Sequence, residues 1–187
     1  MKAKLNITDF QRAAKELNCE VAAIRAVASV ESLAGGFLPD GRPKILFERH
    51  VFHKRTNGIH SANHPSISNK VAGGYGRPGE NQHDRLAVAA ELNRTAALES
   101  ASWGMFQIMG YHWKELGYKS LQEFINAMYE SEAKQLDAFV RFIKVNKLDG
   151  LLRQKKWADF ARRYNGPAYA KNKYDVKMAE AYKKYSR

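Results

Sequence analysis

Apolar residues recur at helical spacings of three and four through most of this 187-residue chain, and only Lys44-Ile45-Leu46-Phe47-Glu48 reads as a strand. That imbalance points to a mainly helical (α+β) fold with one small strand region. Thr8-Asp9-Phe10-Gln11 reads as a capping box opening a helix to about Leu17, and Ser120-Leu121-Gln122-Glu123 as another. Further helices are expected from Val21 to a stop at Gly35-Gly36 and over 85–97, 131–145, 156–164 and 176–185, with a break at Asp149-Gly150. Phe37-Leu38, ahead of the turn residues Pro39-Asp40-Gly41, is the expected partner of the strand. Between Lys54 and Asp84 periodicity fades into Gly, Asn, Ser, His and Pro, the composition of a long functional or disordered loop.

One residue breaks the helical pattern. Val21, Ile24, Val27 and Ala28 form the apolar stripe of their helix, and Glu31 lies on that stripe. A carboxyl turned toward an apolar wall loses hydration, so its pKa rises and it can hold a proton near neutrality. Such a group is suited to donating a proton to a glycosidic oxygen, although a buried Glu satisfied by an Arg or a backbone amide would read the same way. The helix is expected to stop at Gly35-Gly36.

Charge narrows the partner. The formal net charge is +12, and between Arg141 and Arg187 there are 14 Lys or Arg against 4 Asp or Glu. A surface of that kind suits a polyanion: nucleic acid, an anionic membrane or a bacterial envelope polymer. No aromatic-basic readout motif favours nucleic acid. Cys19 is the only cysteine, so no internal disulfide forms. The start M-K-A-K-L-N-I-T-D-F has no apolar leader and no stretch reaches membrane-spanning length. Accumulation in the cytoplasm of the producing cell is therefore expected, with release to the cell wall by another route.

Four segments carry a family resemblance. V-E-S-L-A-G-G-F resembles the Glu-Ser signature of goose-type lysozymes and lytic transglycosylases, and D-G-R-P-K-I-L-F-E-R-H that of the endolysin muramidases. S-A-S-W-G-M-F-Q-I-M-G is similar to the cleft-lining Gly-apolar-apolar-Gln segment of the lysozyme-like superfamily, and R-R-Y-N-G-P-A-Y-A-K-N-K-Y to its Tyr-Asn segment. Spanning residues 30–174 in the family's order, they resemble the phage endolysin N-acetylmuramidases. The resemblance implies a single lysozyme-like domain over 1–187, with a small β-hairpin lobe at about 36–83, a cleft, and a basic helical tail at about 141–187.

It also implies roles. Glu31 matches the general acid, Gln107 a substrate-facing amide, and Tyr164 a tyrosine contacting the catalytic carboxyl, with Asn165 beside it. A core hydrogen bond is the other reading of Gln107 and Tyr164. The second carboxylate is open between Asp40 and Glu48. Asp40 stands nine residues after Glu31, as in phage-type lysozymes, but Leu46 occupies the place of that family's Thr. Glu48 closes the strand. The implied substrate is the β-1,4 bond between N-acetylmuramic acid and N-acetylglucosamine in bacterial peptidoglycan, cut for host-cell lysis by a monomer that needs no cofactor and no metal. The basic tail would add affinity for anionic lipopolysaccharide.

Two other chemistries fit the same substrate. A lytic transglycosylase would close a 1,6-anhydro ring. A zinc amidase would use some of His50, His53, His60, His64 and His83, whose H-x₂-H and H-x₃-H spacings resemble ligand pairs, though no H-E-x-x-H is present.

Overall fold

The computed structural model describes residues 2–31 and 35–187. Within these, the chain is mostly helical with one small antiparallel sheet, and it divides into two compact units: residues 1–2 with 36–131, and residues 3–35 with 132–187. No helix among the described residues is long and apolar enough to cross a membrane.

The second unit is all helix. Helix α1 (Ile7–Leu17) is capped by Asn6, whose side chain accepts from Thr8 and Asp9 while Asp9 returns a bond to the Asn6 amide. The expected box at Thr8 thus lies two residues early, because Asn with Asp three positions on makes the reciprocal cap itself. Helix α2 (Val21–Glu31) is built largely from Ala and β-branched residues and buries Ala22, Ala23, Ile24, Ala26, Val27 and Ala28. Ser32, Leu33 and Ala34, part of the expected helix stop, lie outside the described residues. Helices α6 (Glu132–Val145), α7 (Asp149–Arg153), α8 (Trp157–Asn165) and α9 (Tyr174–Tyr185) complete the unit. Asp149-Gly150 opens α7 rather than breaking a helix; the break falls at Lys147, in the left-handed region at φ 54. Helix α2 packs on α9, and α1 on α2 and α6. Leu17, Ile24, Leu136, Phe139, Ile143, Leu148 and Phe160 are fully buried there. Each such side chain contributes roughly 1.5–3 kcal/mol of burial free energy.

The first unit holds the sheet. Strand β1 (Ile45–Phe47) pairs antiparallel with β2 (Ala101–Trp103), and β2 with β3 (Ile108–Met109). The partner of β1 is therefore not Phe37-Leu38, which forms only an isolated bridge from Phe37 to Pro43. The physical reason is burial: β2 is buried along its length, and Trp103, opposite Ile45, is 1% exposed. Helices α3 (Arg49–Arg55), α4 (Glu80–Glu99) and α5 (Leu121–Glu130) surround it, with α4 kinked at Asn93. Ser120 caps α5 as expected.

The long irregular stretch is shorter than its composition suggested, since α3 and the first turn of α4 claim its ends. Side chains of α4 pin what remains. Buried Gln82 accepts from the Phe47 amide on β1 and donates to the carbonyls of Tyr75 and Arg77. Arg85 donates to the carbonyls of Gly74 and Ser66. Gly74, at φ 65, has the Arg49 guanidinium against its Cα, so a side chain there would collide.

Candidate active site

Glu31 is the last residue of α2 and is partly buried. Its neighbours come from the far end of the chain. Asn165, the last residue of α8, donates from Nδ2 to Glu31 Oε1 across 3.0 Å. Gly166 at φ 80 and Pro167 then end the helix and fix where that amide points. Burial pushes the Glu31 carboxyl above the ordinary Glu range, and the Asn165 amide pulls it partway back. The helix stripe and the carboxyl on it thus behave as the spacing predicted.

Tyr164 precedes Asn165 and its ring packs against Phe139, Phe142 and Phe160, at centroid distances of 5.6, 5.7 and 5.5 Å. Burial raises its phenol far above the usual range, and the Glu31 carboxylate raises it further. Tyr174, at the start of α9, is affected by the same two causes in the same order. Two phenols therefore face the electrostatic field of one carboxyl. Tyr174 closes the Tyr-Asn segment in sequence, but nothing in its spacing marks it as a neighbour of Glu31.

The other three candidates lie in the first unit. Asp40 is in the exposed turn before Gly41, where Oδ1 accepts from the Arg42 amide at 2.9 Å and Oδ2 from the Arg42 guanidinium at 2.6 and 2.7 Å. Those bonds to Arg42 hold its carboxyl below the ordinary range. Both oxygens are committed to the turn. Glu48 follows β1 and its amide donates to the Ser100 carbonyl, extending the ladder by one residue. Its Oε2 is buried, 3.1 Å from His50 Nδ1, and the Tyr75 hydroxyl donates to its carboxylate. Burial first, and Glu48 second, raise the Tyr75 phenol. Among the ion pairs of the described residues, the partner of Glu48 is His50.

Gln107 sits between β2 and β3 at φ 49, a left-handed conformation uncommon for a residue with a side chain. Its Oε1 accepts from Ser102 Oγ at 2.8 Å and its Nε2 donates to the Gly104 carbonyl at 2.9 Å. The amide is thus engaged within its own hairpin, although the residue is exposed.

The histidines are dispersed. His53 Nδ1 contacts Ser61 Oγ at 2.7 Å, His83 Nε2 contacts the Pro43 carbonyl at 2.8 Å, and His60 stacks on Phe52. No three His, Cys, Asp or Glu side chains converge among the described residues in a way that would hold a metal ion.

The comparisons with known proteins agree on one family. The family model described as N-acetylmuramidase matches residues 20–186. A crystal structure of the Burkholderia AP3 phage endolysin matches at 49% identity with a TM-score of 0.93, covering 98% of this chain and 71% of that one. A search of curated proteins finds no match. The chain belongs to the N-acetylmuramidase family and is a peptidoglycan-degrading enzyme of the phage endolysin kind.

Proposed function

We propose that this muramidase hydrolyses the β-1,4 bond between N-acetylmuramic acid and N-acetylglucosamine, with Glu31 as general acid, and that it serves host-cell lysis. The observation that carries the reading is the desolvated Glu31 carboxyl, raised by burial and held by Asn165. A carboxyl whose pKa is raised by burial can protonate the glycosidic oxygen as the bond breaks, while oxocarbenium character develops on the muramic sugar. Asn165 orients the acid. Tyr164 and Tyr174 lie within its electrostatic field, and its own burial sustains the raised pKa.

For the second carboxylate we favour Glu48. Asp40 spends both oxygens and its charge on Arg42, which leaves little basicity for activating a water. Glu48 is less exposed and carries a phenol and an imidazole, partners that can steady a carboxylate as charge develops.

The basic tail fits an anionic envelope surface such as lipopolysaccharide. Among the described residues, Lys171, Lys173, Lys177, Lys183 and Lys184 have no carboxylate within ion-pair distance, and Lys177 and Lys184 lie over Tyr174 and Tyr185. Neutralising these lysines should weaken retention on anionic vesicles and make it less sensitive to salt.

Mass spectrometry of the released muropeptides tests the reaction. Reducing-end muramic acid is the expected product. Anhydro ends would instead identify a lytic transglycosylase, and free stem peptides an amidase.

A further inference from the structure

A groove of about 650 Å³ opens on the first unit, lined by His50, Val51, Lys54, Arg55 and Tyr111. Four of the five residues come from α3; Tyr111 lies in the short 3₁₀ turn that follows β3. Its chemistry is one-sided. Three of the lining residues carry basic nitrogen and none is acidic. The acids nearest to it are already engaged: Glu99 takes Arg55 on Oε2 and the Trp113 indole on Oε1, and Glu48 lies against His50. Lys54 is exposed and has no carboxylate within ion-pair distance among the described residues. Tyr111, 38% exposed, lies tilted against the His112 ring at 4.4 Å and under the Arg55 guanidinium at 5.3 Å. The floor thus carries an aromatic ring edged by cations. A plain solvated helix end also accumulates basic residues, which favour its dipole, but it forms no groove and recruits no aromatic from another element.

We propose that this groove binds the carboxylate-bearing stem peptide of peptidoglycan, so that the enzyme holds the peptide branch of its substrate as well as the glycan. This rests on the muramidase reading above. Lys54 supplies a free cation to a stem carboxylate, Arg55 and His50 widen the positive field, and the Tyr111 ring accepts the small apolar side chains between the acids. Charge complementarity selects this occupant: a glycan strand whose lactyl carboxyls are amide-linked is neutral and offers Lys54 no charge, whereas the stem peptide carries free carboxylates.

The test compares two substrates on the full chain. Peptidoglycan that keeps its stems, and glycan strands stripped of stems by an amidase and then capped as methylamides at the freed lactyl carboxyls, are each digested by wild type, Lys54→Glu and Tyr111→Ala, with folding checked by circular dichroism. Loss of one charge-assisted contact should lower kcat/KM on the stem-bearing substrate by about tenfold and leave the stripped strands unchanged. Equal loss on both, or loss on neither, overturns the proposal. A second readout does not depend on turnover. Titration of the chain with a synthetic stem tripeptide should shift the NMR signals of residues 50–55 and 111, with affinity falling as salt rises; absence of those shifts overturns it as well. If wild type cleaves stem-bearing glycan and these shifts are absent, only the groove assignment fails. If wild type cleaves neither substrate, the muramidase reading fails first.

Discussion

Asn165 Nδ2 donates to Glu31 Oε1 across 3.0 Å, joining two helix ends that are 134 residues apart in the chain. The bond opposes burial: the amide stabilises the carboxylate while its surroundings favour the neutral acid. Asn165 Oδ1 is itself buried with no hydrogen-bond partner among the described residues, so the amide has one committed end and one available end.

Asn165→Ala removes the donor and should raise the Glu31 pKa further. A general acid works only while protonated, so the alkaline limb of the kcat/KM profile should move to higher pH. The rate at the optimum should fall several-fold, on the order of 1 kcal/mol for one lost orienting hydrogen bond. An unmoved limb would show that Asn165 does not tune the acid.

Glu31 also carries a pH signature in stability. Its folded pKa is raised, so between the unfolded and folded values the native state holds a proton that the unfolded state has lost. Stability from this group is full below the unfolded pKa and declines as pH rises through the folded one. Glu31→Gln, which cannot ionise, should melt at or above the wild-type temperature at pH 7 and lose that advantage in acid. A variant less stable than wild type at pH 7, with the gap closing at low pH, would contradict the burial assignment.

Glu48 and Asp40 separate by substitution. Glu48→Gln should lower kcat by about 10²-fold or more, the range for loss of a positioned acid-base group. Asp40→Asn should leave kcat within a few-fold and disturb only the Arg42 turn. The reverse ranking in steady-state assays would move the second carboxylate to Asp40.

The helices that bury a clear apolar face were legible in the chain itself. Helix α5 starts at its expected cap, and α6 and α8 follow their expected ranges, because Phe124, Met128, Leu136, Phe139 and Phe160 recur at helical spacing. Strands β2 and β3 were not, since three and two residues are too few to display alternation, and Ala101-Ser102-Trp103 has no strand composition. Helix α3 hid for a similar reason: R-H-V-F-H-K-R buries only Phe52. In the site, Glu31 announced itself by breaking an apolar stripe. Tyr164 and Asn165 were legible only through the family resemblance and Tyr174 not at all, because these contacts depend on how α2, α8 and α9 meet, and spacing along the chain carries no such information.

Gln107 distinguishes structure from recognition. Its side chain satisfies Ser102 and Gly104 while its backbone is left-handed. Gln107→Ala should therefore cost about 1–3 kcal/mol of stability by leaving those groups unpaired, read as a lower midpoint in urea. An unchanged midpoint with a raised KM would make Gln107 a substrate contact instead.

The most direct measurement is the rate at which purified Glu31→Gln releases soluble fragments from isolated peptidoglycan, beside wild type at equal concentration and with folding verified. Loss of the general acid should reduce that rate by about 10²–10⁴-fold while the melting curve stays cooperative. Release within a few-fold of wild type would remove Glu31 from the chemistry.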